Sequence, residues 1–160
     1  GSTARVDELA EQLRKEHRAT VYGTFAALRL AKDAVAANDL PRAADMLAWA
    51  QGQKPDSSLQ PLISLRLAQV QYAQGEYDKA LATLLTQTSA SPAWQAAIAE
   101  LRGDVQLAQG KPDDARISYE SALKAMETSG VQDRQKDIEM KKADLAKPGQ
   151  TLTAGIGGHP

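Results

Sequence analysis

The chain has no cysteine. That excludes disulfides, thiol nucleophiles and cysteine-ligated zinc, and it leaves the redox compartment open. Only two histidines occur, His17 and His159, too few to supply a multi-histidine metal site, and a catalytic triad has little to draw on. Aromatic residues make up 4% of the chain, and Val and Ile together number 11. Neither sign of charge prevails: 19 Lys and Arg face 20 Asp and Glu, for a net charge of −1. The signs alternate along the chain, with four of each between Arg5 and Arg18 and eight of each between Lys111 and Lys147. A basic nucleic-acid face and a basic membrane-surface helix are therefore disfavoured. Long apolar runs are lacking too. The uncharged stretch Leu81–Ala99 holds Pro92 and many Thr, Ser and Gln, so it does not read as a membrane span, and no stretch has the form of a signal peptide. What the chain does have is 29 Ala and 18 Leu, both strong helix formers, where strands would call for β-branched residues.

Internal repetition organises those helix formers. Three stretches superimpose, beginning near Leu28, Leu65 and Glu100. Asn38, Gly75 and Gly110 align at spacings of 37 and 35 residues. Five residues after each comes Ala43, Ala80 or Ala115, and seven before each comes Ala31, Ala68 or Gly103. Gly75 and Gly110 suit the left-handed position past a helix end, and Asn38 is the usual substitute there. Pro41 and Pro112 suit the first turn of the following helix, where a missing N–H costs nothing. Pro55 and Pro92, each twelve residues after a repeat Ala, mark the end of a hairpin. The small residues let paired helices approach closely. The pattern predicts an antiparallel helix hairpin repeated three times.

This pattern resembles the tetratricopeptide repeat, whose unit is about 34 residues. The excess falls in connections near Pro55–Ser58 and Thr88–Ser91, and Tyr22 and Trp94 stand slightly upstream of the place of the family's early Trp. The expected fold is all-α: a helical-hairpin solenoid of about three repeats. A leader helix near 6–18 precedes helices near 22–37, 40–53, 58–74, 77–87, 92–109 and 112–128. A capping helix near 132–146, with few apolar residues (Ile138, Met140, Leu145) among many charges, has the character of a solenoid end. Residues 1–3 are set aside, Gly1-Ser2 having the form of a cloning scar. Residues 4–147 form one domain, and 148–160, rich in Gly, are expected to be a flexible tail.

A narrower resemblance rests on Ala99-Glu100-Leu101-Arg102-Gly103-Asp104-Val105 with Gly110, Ala115-Arg116, Tyr119-Glu120 and Ala122-Leu123. Leu65-Arg66-Leu67-Ala68 with Gly75 to Leu81, and the closing Ile138 to Leu145, add to it. Over roughly residues 6–146 the chain resembles the YfgM family. The resemblance implies the periplasmic domain of an inner-membrane protein of Gram-negative bacteria, held by one N-terminal transmembrane helix that would precede this sequence. It further implies an ancillary subunit of the SecYEG translocon, which associates with the periplasmic chaperone PpiD and helps newly exported polypeptides.

In such an array the first helix of each pair lines a groove for an extended or helical peptide. By repeat position, that face takes in Phe25, Leu28 and Lys32, then Leu62, Leu65, Gln69 and Tyr72, then Ala97, Glu100, Asp104 and Leu107. The candidate partner-binding residues are Phe25, Lys32, Arg66, Gln69, Tyr72, Trp94, Glu100 and Asp104. Each has a structural alternative. Leu28, Leu65 and Leu107 could be core. Arg29, Arg66 and Arg102 could bridge helices through Asp33, Glu100 or Asp104. Asp104 could serve as an internal hydrogen-bond partner, and Trp94 could pack under the preceding hairpin. The face has no cluster of Lys and Arg to clamp a peptide's terminal carboxylate.

Catalysis finds no support. His17 reads as a solvated surface residue, and no ligand set surrounds His159. The pairs Asp7/Glu8 and Asp113/Asp114 read as first-turn acids that favour the helix dipole. Gly155-Ile156-Gly157-Gly158 lacks the strand and helix of a phosphate loop. The expectation is a non-catalytic protein–protein interaction module with no cofactor. The alternatives are a scaffold of another envelope assembly and a self-associating structural module.

Overall fold

The computed structural model describes residues 2–16, 21–88 and 90–145. Among these, eight helices and no strand occur: α1 (Ser2–Glu16), α2 (Val21–Ala36), α3 (Leu40–Gly52), α4 (Gln60–Ala73), α5 (Tyr77–Leu85), α6 (Pro92–Ala108), α7 (Pro112–Ser129) and α8 (Gln135–Ala143). The fold is the expected all-α array. Each helix packs on its neighbour in sequence, and α4 also touches α6. The expected tail, with His159, and also His17 lie outside the described residues.

The hairpin turns form as the residue types dictate. Asn38, Gly75 and Gly110 all take positive φ, at 58°, 76° and 75°, the conformation that closes a helix end. Asp39 then caps α3, its carboxylate accepting from the Arg42 amide at 3.2 Å. Pro92 and Pro112 are the first residues of α6 and α7. The residues at the close crossings are buried: Ala31 and Ala68 with Gly103 in the first helices, and Ala43, Ala80 and Ala115 in the second. Between α3 and α4, Lys54 adopts positive φ and Asp56 accepts from the Ser58 amide at 2.9 Å. That turn absorbs the extra length of the first unit.

Three consecutive clusters form the core, each spanning neighbouring helices. Leu30, Leu47 and Ile63 anchor the cluster of α1–α4; Ala80, Ile98 and Val105 that of α4–α6; Tyr119, Met126 and Ile138 that of α6–α8. This is the arrangement of a solenoid, in which each repeat is stabilised by the next. One expectation shifts at each end. The leader helix begins at Ser2, well before Val6, so Asp7 and Glu8 lie beyond its first turn. Asp7 instead approaches Arg42 at 3.8 Å. Ile138 of α8 is buried as a capping helix requires, and so is Leu145 just past its end, but Met140 is 65% exposed. Residue 140, two positions on from 138, falls on the other side of the helix.

Candidate functional site

The first helices of the hairpins, α2, α4 and α6, supply the groove-side residues. Between α2 and α4 lies an apolar recess of about 320 Å³. Leu28, Ala31, Lys32 and Val35 line it from α2, and Arg66, Gln69, Val70 and Ala73 from α4, with Leu40 and Leu47 of α3 beneath. Both walls follow the i, i+3, i+4, i+7 spacing of a single helix face. Lys32, Arg66 and Gln69 stand exposed at its rim. The sequence placed these three on a partner-binding face, and the structure brings them together around one depression. Val35, Val70 and Ala73 were not singled out, although the same stripe spacing marks them.

Phe25 is 51% exposed and Tyr72 36%. Tyr72 stacks at a tilt against Tyr77, ring centroids 5.9 Å apart. Trp94 is half-buried against the α4–α6 cluster, as its structural alternative holds. Leu28 is buried and Leu65 packs on the core, while Leu107 stays at the surface. Arg29 pairs with Asp33 one turn on, at 2.9 Å. Arg102 donates to the Ser118 hydroxyl at 3.0 Å, and Ser118 in turn donates to Gln106 at 2.6 Å, tying α6 to α7.

Glu100 and Asp104, both candidate partner-binding residues by sequence, are engaged by other parts of the fold. The capping helix α8 draws Ile138 into the core and so lays Lys141 and Arg134 over α6. Glu100, only 7% exposed, accepts from Arg134 at 2.7 Å and from Lys141 at 2.8 Å. Lys141 also reaches both oxygens of Asp104 at 2.9 Å. Asp104 accepts from the Tyr119 hydroxyl at 2.8 Å, and the Lys141 ammonium stands 5.9 Å from the Tyr119 ring centroid. Lys142 pairs with Glu120 at 2.9 Å. The internal role weighed for Asp104 is the one it takes.

This network moves two titrations. Burial first, then the bond to Asp104 and the charges of Asp104 and Glu100, hold the Tyr119 phenol protonated well beyond its ordinary value. Burial works against the Lys141 charge, but hydrogen bonds to Glu100 and Asp104 outweigh it and raise the ammonium above its ordinary 10.5. A raised amine stabilises the fold fully below its unfolded value and loses that contribution as pH climbs through the folded one. The Tyr119 phenol and the Lys141 ammonium both follow this rule, so the α8 seal is expected to loosen only above about pH 10. Limited proteolysis of the C-terminal end between pH 9 and pH 11.5 checks this, and Lys141→Met should weaken that alkaline transition, leaving the share that belongs to Tyr119.

Among the described residues, no group of three or more metal-capable side chains converges, and no helix is long and apolar enough to cross a membrane. Stacked hairpins crossing at small residues, with an open recess between successive first helices, define a helical-repeat interaction protein. Comparison with known proteins makes this specific. A family model described as a tetratricopeptide repeat-like domain matches residues 1–147, and the chain belongs to that family. The chain is 38% identical over 128 residues to a protein of Aggregatibacter actinomycetemcomitans named ancillary SecYEG translocon subunit, covering 80% of this chain and 60% of that protein. Proteins of the same name from Escherichia coli K12 and Haemophilus influenzae are each 36% identical, over 86% and 84% of this chain and 64% and 63% of theirs. The chain thus spans less than two thirds of the length of these curated relatives. No solved structure matches it.

Proposed function

We propose that this chain is the protein-interaction domain of an accessory subunit of the Sec translocon, and that it acts without chemistry of its own. The observation that carries this reading is identity of 36–38%, across most of the chain, to proteins named ancillary SecYEG translocon subunits. The fold supports it: rigid hairpins hold the α2–α4 recess preformed, so a bound segment meets a surface that has little ordering left to lose. The finer reading is a domain facing the periplasm, joined to the inner membrane by an N-terminal helix in the full-length protein. There it works with the chaperone PpiD on newly exported polypeptides.

The test is capture. The domain, immobilised, is exposed to detergent-solubilised envelope proteins of the organism that makes it, and bound proteins are identified by mass spectrometry. Recovery of SecYEG subunits or PpiD supports the reading. Recovery of a different envelope complex alone, both from this domain and from the full-length protein, overturns it.

A further inference from the structure

We infer that the α2–α4 recess selects an acidic, apolar segment: a Leu-like side chain seated in the depression, with side-chain carboxylates beside it held by Lys32 and Arg66. The inference deepens the proposed function by naming the chemistry of the polypeptide that this face would hold, and it rests on that reading.

Three observations carry it. First, the recess is apolar within. Leu28 and Leu47 are buried beneath it, and Val35, 47% exposed, stands at its mouth. Such a floor takes an aliphatic or aromatic anchor, the kind of residue that dominates binding energy at interfaces. Second, its rim is cationic. Lys32 and Arg66 rise from opposite walls, and neither pairs with another described residue. Neighbouring charges behave differently: Arg29 is matched by Asp33, and Lys79 by Glu76. Third, the carboxylates that the same face would otherwise present are already consumed. Glu100 and Asp104 are paired with Lys141 of α8, and Glu100 also with Arg134 at the start of that helix. The sequence shows a face of mixed charge, whereas in the folded chain the two charged residues that line the recess, Lys32 and Arg66, are both cations. Charge complementarity then favours an acidic occupant. Gln69, exposed on the same wall and also unpaired among the described residues, offers an amide to an extended backbone.

The two cations do not converge on one point. In the repeat register Lys32 aligns with Gln69, one turn beyond Arg66, and the two sit on different helices. That suits carboxylates spread along an internal segment better than a single chain-terminal carboxylate.

The experiment is fluorescence anisotropy with the purified 160-residue chain. The probe is a labelled peptide of about ten residues, blocked at both ends, with two central Leu flanked on each side by Asp. Its matched control carries Asn for Asp. The acidic peptide is expected to bind about tenfold more tightly than the control, and added salt should narrow the gap. Lys32→Ser and Arg66→Ser should each weaken it about threefold, a typical loss for an exposed ion pair. Val35→Glu, at an exposed position that the fold does not need, should abolish binding with the thermal midpoint unchanged. Equal binding of the two peptides overturns acidic selection while leaving an apolar groove. Absence of binding by either peptide overturns the inference entirely. Translocon capture by the same domain would then show that its partner docks elsewhere, so the two failures are distinguishable.

Discussion

Gly103→Ala is expected to destabilise the chain by about 3 kcal/mol, although it adds a single methyl group. A Cβ at residue 103 would lie 2.5 Å from Tyr119 Cε1 and 2.6 Å from Cδ1. Those atoms belong to a ring that is 1% exposed and packed among Ala96, Ala99 and Ile138, so it has no room to withdraw. Moving it also draws the hydroxyl away from Asp104, a bond to a charged acceptor worth about 1.5–3 kcal/mol. For a chain of this size the thermal midpoint should fall by about 6–12 °C. Gly52→Ala is the control. Nothing lies within 4 Å of that Cβ, and Ala favours a helix by up to about 1 kcal/mol, so this change should be neutral or stabilising. The clash predicts coupling as well: Tyr119→Leu should cost less by about 1–2 kcal/mol when residue 103 is Ala than when it is Gly. Equal midpoints for Gly103→Ala and Gly52→Ala would sink the steric account.

Gly103 also shows why the fold was legible in the sequence. Hairpin repeats impose local demands, namely small residues at crossings and left-handed closure after the first helix, and each is met by a residue type at a fixed offset. Asn38, Gly75 and Gly110 meet the second demand at almost the same φ, so their spacing alone located the hairpins. The α8 contacts carry no such signature. Lys141 meets Glu100 across 41 positions of sequence, and a charge on a polar helix looks the same whether it faces water or a buried carboxylate. That is why Glu100 and Asp104 read as groove residues until the capping helix was placed over them. The recess is intermediate. Lys32, Arg66 and Gln69 were found individually from repeat position, but the depression belongs to two walls. It emerges only when the stripe from Leu28 to Val35 is set against the one from Arg66 to Ala73. The start of α1 was missed for a simpler reason: Ala4 and Arg5 are good helix formers, but no cap or apolar period marked the boundary.

Removing both cations of the α8 seal, Arg134→Met with Lys141→Met, is expected to cost about 3–5 kcal/mol, because it leaves the Glu100 carboxylate buried without a partner. The single change Lys141→Met should cost less, about 1–2 kcal/mol. Arg134, itself 58% exposed, still reaches Glu100, while Asp104 keeps the Tyr119 hydroxyl and a side chain 25% open to water. The two substitutions should therefore be more than additive, since the first leaves a substitute that the second removes. The damage should also be local. Ile138, with Leu145 just past the helix end, fastens α8 to the last cluster, so amide exchange should accelerate in α8 and the adjoining face of α6 before it does in α1–α5. A third change separates charge burial from general loss of packing. Glu100→Met in the double variant removes the unpaired carboxylate and puts an apolar side chain of similar length against α8, so most of the lost stability should return. Chemical denaturation of the five proteins, Arg134→Met alone included, measures this directly. If the triple variant stays as unstable as the double, the network contributes through shape alone, and Glu100 is better hydrated in solution than its 7% exposure implies.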